Sequence, residues 1–241
     1  MSKRRPSSHR WLQEHHSDPF VKAARLEGYR SRAAYKLLEI QQQMRLIHPG
    51  DTVVELGAAP GGWTQVALAW VGASGRYVAL DILPMDPVAV PLEDGCAQAL
   101  VLQGDFLEQT TLDALALALG QPPGVWDRPG AGVADVVLSD MAPNMTGFKA
   151  ADQGRGELLA ESAFEFARAA LRPGGVLVVK LFQGPGFHDI LRVARREYRQ
   201  VRVVKPEASR GRSPEQYLVA SGFSAAVDSD APGTGSSYSG E

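Results

Sequence analysis

Four carboxylates stand at the ends of short apolar runs in this chain: Glu55 after TVV, Asp81 after YVAL, Asp105 after LVLQG and Asp140 after VVLS. One such acid alone is explained as well by a helix cap as by a ligand. Four at a single sheet edge are different, because like charges at close range need a cation, a ligand or basic side chains to offset them. The first run leads into a loop, Gly57-Ala58-Ala59-Pro60-Gly61-Gly62-Trp63, whose small residues let a backbone approach a ligand closely. A dinucleotide, a nucleotide phosphate and a phosphate-free nucleoside are the three classes such a loop serves.

The loop argues against phosphate. A dinucleotide fingerprint needs Gly-x-Gly-x-x-Gly opening a helix, and here the third position is Ala59. Pro60 removes one of the amides that would cradle a pyrophosphate. No Gly-Lys-Ser/Thr ending follows, and no Lys or Arg lies between Asp51 and Val71. An acidic, phosphate-averse pocket suits a nucleoside with free hydroxyls and a positive charge, which describes S-adenosylmethionine. In that reading Asp81 accepts from the ribose hydroxyls, as the acid of a dinucleotide site does. Asp105 accepts from the adenine amine with Phe106 near the ring, and Asp140 lies where the reacting group would be.

These residues need a frame. The spacing predicts strands at 52–56, 76–80, 99–103, 134–138, 175–182, 201–204 and 216–220. It predicts helices at 32–44, 63–71, 111–119, 155–171 and 187–198, several closed by glycine. Continuous apolar strands separated by helices indicate an α/β fold, a mostly parallel sheet covered on both faces. Ligands then bind at the carboxyl ends of the strands. The helix at 32–44 reads as an addition to the sheet domain. The segment 121–132, QPPGVWDRPGAG, reads as a surface loop, and the Ser/Gly/Asp-rich tail 223–241 as disordered.

The chain has 241 residues, and its net charge of −2 conceals an asymmetry. Residues 1–48 carry ten Lys/Arg against four Asp/Glu, and residues 192–215 carry eight against three, around an acidic middle. If the two basic ends meet, they form a positive face that attracts phosphate backbones. A single cysteine, Cys96, leaves no internal disulfide, and no apolar run reaches the roughly 18 residues a membrane helix needs. The basic N-terminus lacks the apolar core of a signal peptide, so a cytoplasmic protein is expected. The five histidines do not cluster, and no metal site is expected.

Three further segments complete a pattern: SRAAYKLLEI at 31–40, SDMAPNMTG at 139–147 and VVKLFQG at 178–184. With LGAAPGGW, LDILPMDP and QGDF they closely resemble the FtsJ/RrmJ (RlmE) family of ribosomal RNA 2′-O-ribose methyltransferases, over nearly the whole chain from Trp11 to Gly222. The resemblance implies a Rossmann-like class I methyltransferase with a seven-stranded sheet and an antiparallel last strand. It implies a basic N-terminal extension at 1–30 and a methyltransferase domain at 31–222. It implies methyl transfer from S-adenosylmethionine to a uridine 2′-hydroxyl in the A loop of 23S rRNA, by a monomer acting on the large ribosomal subunit. Its Lys-Asp-Lys-Glu tetrad falls on Lys36, Asp140, Lys180 and Glu215. Its cofactor contacts fall on Gly61, Trp63, Asp81, Asp105 and Asp140. The segment between Asp86 and Gln103 is longer than the family pattern, and Pro214 stands where a basic residue is usual.

The tetrad suits the implied reaction. Methyl transfer from a sulfonium is an in-line displacement dominated by placement, and a ribose hydroxyl attacks only as its proton is removed. Lys180, in the apolar run VVKLF, is the expected general base, oriented by Asp140. Burial and the second ammonium of Lys36 disfavour its charged form, whereas Asp140 and Glu215 favour it. Lys36 and Glu215 would position the hydroxyl. Each basic run leads into one tetrad residue, so the runs are expected to converge there as an RNA groove. Two rivals share parts of these features: a dinucleotide oxidoreductase, against which the Ala59-Pro60 loop speaks, and a non-catalytic RNA-binding module, which would not need the tetrad. Transfer RNA or a cap ribose is the alternative substrate within the family.

Overall fold

The computed structural model describes residues 18–93, 95–127, 131–143, 146–209 and 213–224. The expected N-terminal arm up to residue 17, nearly all of the expected disordered tail, residues 128–130 of the expected surface loop, and Arg210 and Arg212 of the second basic run lie outside these residues.

The elements, in chain order, are α1 (Pro19–Leu26), α2 (Ala33–Met44), β1 (Thr52–Leu56), α3 (Gly62–Val71), β2 (Arg76–Asp81), β3 (Ala89–Leu92), β4 (Gly95–Gln103), α4 (Gln109–Ala118), β5 (Ala134–Ser139), α5 (Lys149–Ala170), β6 (Leu171–Phe182), α6 (Phe187–Glu197), β7 (Tyr198–Val204) and β8 (Glu215–Phe223), with a 3₁₀ turn at Val125–Asp127. The sheet order is β3-β4-β2-β1-β5-β6-β8-β7. Strands β4, β2, β1, β5 and β6 run parallel, and β8 pairs antiparallel with both β6 and β7.

The sheet has eight strands rather than the expected seven. The long segment after Asp86 turns back on itself, and β3 pairs antiparallel with the lengthened start of β4. Pro91 sits in β3, which lies at the sheet edge where a missing N–H costs no ladder bond. Helix α1 was also not legible as an element. Asp18 caps it by accepting from the Phe20 N–H at 3.0 Å, and Pro19 occupies the first turn. Helix α5 begins at Lys149, earlier than the spacing predicted, and strand β6 begins at Leu171, through Arg172-Pro173-Gly174-Gly175.

Helices cover both faces. On one face α2 and α3 bury Leu37, Ile40, Trp63 and Leu68 against Val53, Tyr77 and Val219. On the other face α4, α5 and α6 bury Leu115, Phe164, Ala167 and Ile190 against Leu56, Val137 and Leu218. Alternate residues of β8 feed the two cores, as the period of two demands. The strand order reverses between β1 and β5, and that reversal opens a crevice at their carboxyl ends. No helix among the described residues is long and apolar enough to cross a membrane.

Candidate active site

A cavity of about 440 Å³ occupies this crevice, walled by Gly57, Asp81, Asp105, Phe106, Asp140 and Met141 among others. Three aspartates line it and, among the described residues, no Lys or Arg does. Asp81 ties the loop after β1 to the loop after β2, accepting from the Ala59 N–H and the Leu83 N–H, each at 2.8 Å. Each carboxylate oxygen keeps acceptor capacity for a hydroxyl. Asp105 accepts from the Leu107 N–H at 3.0 Å. Ile82, Leu83 and Leu107, whose side chains are largely exposed, sit on the same walls and make an apolar slot fit for a planar base. Sequence reading missed these three because hydrophobic residues in loops carry no period.

Gly57 is required by crowding. Its φ is +75°, and a Cβ there would stand 2.6 Å from Met141 Cγ and 3.1 Å from Met141 Cα. Two further expected cofactor contacts, Gly61 and Trp63, follow on the same loop. Gly61 caps α3 with φ +98° and backs onto the Arg30 and Met85 side chains. Trp63 is buried, donates its indole N–H to Ala33 O at 2.8 Å and packs its ring 5.5 Å from that of Tyr217. It lines a smaller pocket of about 240 Å³ that shares Gly57, Ala59 and Asp140 with the larger cavity. Arg30, expected only as part of the first basic run, donates to Pro60 O (3.3 Å), Asp86 O (2.8 Å) and Pro87 O (2.6 Å), clasping the two loops that flank the crevice.

Glu55 departs from the other three acids. It is 1% exposed and turns toward the α3 face, where Thr64 Oγ1 of α3 (2.5 Å) and Tyr77 OH of β2 (2.7 Å) both donate to Oε2. Burial pushes its carboxyl up to about 8, against the opposing pull of those two hydrogen bonds. The folded-state value lies above the ordinary 4.5, so the folded chain holds a proton that the unfolded chain releases between those two values. Stability from this group is complete below about 4.5 and is lost as pH rises toward about 8. Glu55→Gln cannot ionise and keeps an acceptor. Urea melts at pH 5 and pH 9 should therefore show the wild type losing about 2–4 kcal/mol more than the variant. Equal losses would refute a protonated Glu55.

The four tetrad residues meet at the ends of β5, β6 and β8. Lys180 is on β6, and its Nζ lies 2.6 Å from Asp140 Oδ1, 2.7 Å from Asp140 O and 4.0 Å from Glu215 Oε2. Lys36, on α2, reaches Glu215 Oε1 at 2.6 Å. Both lysines are buried, so two ammonium groups and two carboxylates are held together largely away from water. Tyr217 joins the halves: Lys36 Nζ donates to its hydroxyl at 3.0 Å, and that hydroxyl donates to Asp140 Oδ1 at 2.5 Å. Burial raises the Tyr217 phenol well above its ordinary value, with Asp140 and Glu215 acting the same way, so it stays protonated. Burial also tends to raise Asp140, but the Lys180 and Lys36 charges and the hydrogen bonds from Lys180 and Tyr217 outweigh it and hold the carboxyl below its usual range.

Tyr217 was missed, although a signal existed. Glu215 and Tyr217 are two apart on one strand and so share a face, and Tyr217 is the direct cross-strand partner of Lys180. Ser209 was not readable from the sequence. Its hydroxyl donates to Glu215 Oε1 at 2.9 Å across the β7–β8 loop.

The basic runs do not simply converge on the tetrad. Arg30 is committed to backbone carbonyls, and Arg32 is paired with Asp18 and donates to Ala208 O. Arg192 pairs with Asp189. The remaining described arginines of the second run descend along α6 and return on β7, the sheet edge. Strand β7 starts opposite Phe223, at the end of β8 remote from Glu215, and reaches the tetrad end only at Val204, opposite Tyr217.

The FtsJ-like methyltransferase model matches residues 29–223. A Magnetococcus marinus protein named ribosomal RNA large subunit methyltransferase E is 54% identical over 92% of this chain and 99% of its own length. Proteins of the same name from Alkalilimnicola ehrlichii and Pseudomonas aeruginosa are 52% and 47% identical, over 92% and 91% of this chain and 97% and 98% of their own lengths. Among solved structures, a Plasmodium falciparum protein described as a ribosomal RNA methyltransferase superposes with a TM-score of 0.64 at 25% identity, covering 81% of this chain and 98% of that one. With its sheet order, its crevice and these relatives, the chain belongs to the FtsJ-like methyltransferase family.

Proposed function

We propose that the chain transfers a methyl group from S-adenosylmethionine to the ribose 2′-hydroxyl of a uridine in the A loop of 23S rRNA, in the cytoplasm and as a monomer. One observation carries this reading. Asp140 belongs both to the cation-free cavity and to the lysine–carboxylate tetrad, so a cationic nucleoside site abuts a group of proton-handling side chains. The names of the relatives support ribosomal RNA as the acceptor.

The residues present fit this methyl donor. Asp81 and Asp105 would hold its ribose and adenine, Phe106 and Leu107 would face its ring, and Asp140 would lie near its charge. When bound, S-adenosylmethionine supplies an electrophilic methyl on a sulfonium sulfur. Lys180, once its resting ammonium has released a proton, would take the proton of the ribose hydroxyl as that oxygen gains its bond to the methyl carbon and the carbon–sulfur bond breaks. Asp140 fixes the Lys180 amine through its carboxylate and its carbonyl oxygen, so the base has one orientation. Lys36, Glu215 and Tyr217 position the incoming ribose around it. The methyltransferase unit occupies 31–222, with 1–30 as a basic extension.

The test supplies labelled S-adenosylmethionine and large ribosomal subunits from cells lacking this modification, then maps ribose methylation. Incorporation at one A-loop uridine is the expected result. No incorporation into subunits or into free 23S rRNA would overturn the reading, and labelling of tRNA instead would move the substrate within the family.

A further inference from the structure

On the face of the sheet that carries α2, the helix ends at Met44, and β7 and β8 continue beyond it. A groove of about 160 Å³ lies there, lined by Gln43, Met44, Gln200, Arg202, Val219 and Ser221 among others. Gln200 pairs with Ser221 and Arg202 with Val219 across the two strands, so these side chains share one face. The groove therefore offers two amides, a hydroxyl and a guanidinium over a small apolar floor. Met44 lies eight residues along α2 from Lys36, about 12 Å at helical rise. Ser221 lies four residues along β8 from Tyr217, about 13 Å at strand rise. The groove is thus separate from the tetrad but on the same face, and the loop 205–209 leaves β7 at the tetrad end, after Val204 opposite Tyr217. That loop is tied to α2 by Glu39, which accepts from the Glu207 N–H at 2.7 Å.

We infer that this groove is a second RNA contact, which grips an unpaired segment of the ribosomal RNA a few nucleotides from the methylated ribose. The inference rests on the rRNA methyltransferase reading above. Charge supports it: Arg202 lines the groove and Arg45 stands between Met44 and Leu46, which both line it; the two arginines are exposed and pair with no acid among the described residues. The acid one turn up α2, Glu39, is occupied by Gln43 Nε2 at 3.2 Å and by the Glu207 N–H. Arginine serves phosphate oxygens, and amide and hydroxyl side chains serve base edges and 2′-hydroxyls of unpaired RNA. An arginine that only guards a sheet edge against pairing needs no such companions. The placement also gives the second basic run a use that convergence on the tetrad does not.

The test titrates wild-type protein, Arg202→Ala and Arg202→Glu with protein-free 23S rRNA over a range of salt, and measures methylation of large subunits by each. Arg202 is exposed on an edge strand, so both variants should fold with unchanged melting. The expected result is roughly tenfold weaker RNA binding for Arg202→Glu. For Arg202→Ala, the slope of log affinity against log salt should fall by about 0.7 to 1. KM for the subunit should rise with kcat retained. Unchanged affinity and slope would overturn the inference. A loss confined to subunits, with free rRNA bound normally, would also overturn it and mark the face as a ribosomal-protein contact. Wild-type protein that methylates neither substrate would instead sink the rRNA reading itself.

Discussion

Lys180→Ala is expected to lower the methyl-transfer rate by about 10²–10⁴, the usual contribution of a positioned general base. Methyl-donor affinity should stay within a few-fold of wild type. The two effects separate because the Lys180 amine is bound to Asp140 on the tetrad side and is not a wall of the 440 Å³ cavity. Truncation leaves Asp81, Asp105 and Phe106 where they are. Single-turnover incorporation of labelled methyl, set beside calorimetric titration with S-adenosylmethionine, reads both quantities. Lys180→Arg sharpens the result. A guanidinium keeps the charge and can still meet Asp140, but it does not give up its proton and cannot accept another. Loss of rate in both variants assigns Lys180 to proton transfer. Retention in the arginine variant would make its charge, and not its basicity, the catalytic quantity, and normal turnover in the alanine variant would remove Lys180 from the mechanism.

How much of this was legible in the sequence depended on the range of the interaction. Strands β1, β2 and β5 were readable because apolar runs and their flanking glycines and acids are local signals. The eighth strand was not, because β3 is four residues long and contains a proline, and its partner is the hairpin arm beside it. The residues that the resemblance placed in the tetrad do meet, yet their meeting is a tertiary fact. Lys36 and Tyr217 are 181 positions apart in the chain, and only the packing of α2 over β8 joins them. Trp63 adds a second tertiary fact. Its place in the glycine loop marks a candidate ligand contact, and only the fold shows that its indole, 1% exposed and bonded to Ala33 O, also holds α2 against the sheet. Glu55 shares a sequence pattern with Asp81 and Asp140, and only strand parity decides that it turns into the α3 face. The basic runs were readable as charge but not as direction, since the register of β7 carries most of its arginines away from the tetrad.

Asp140→Asn is expected to remove activity and also to expose how the tetrad is held together. The tetrad balances two ammonium groups with two carboxylates. Neutralising Asp140 leaves Lys36 and Lys180 sharing Glu215 alone, which stands 2.6 Å from one and 4.0 Å from the other. Removing one partner of a buried pair commonly costs about 3–5 kcal/mol. Asp140 keeps some contact with solvent, its side chain being 16% exposed, so about 2 kcal/mol is the expected loss at pH 7. The pH dependence follows from the lowered carboxyl. A folded value below the ordinary 3.8 means that the stabilisation is present above about 3.8 and is lost as pH falls through the folded value. The gap between wild type and Asp140→Asn in urea melts should therefore be full at pH 7 and shrink below pH 3.8. The double variant Asp140→Asn/Lys180→Met separates structure from chemistry. With the facing ammonium also gone, no stranded charge remains beside the substituted amide, and much of the stability should return while methyl transfer stays absent. Simple additivity of the two single-variant losses would mean that the Asp140–Lys180 contact contributes nothing to folding, and a variant as stable as wild type at pH 7 would mean that the tetrad's charges are not balanced in the way its geometry requires.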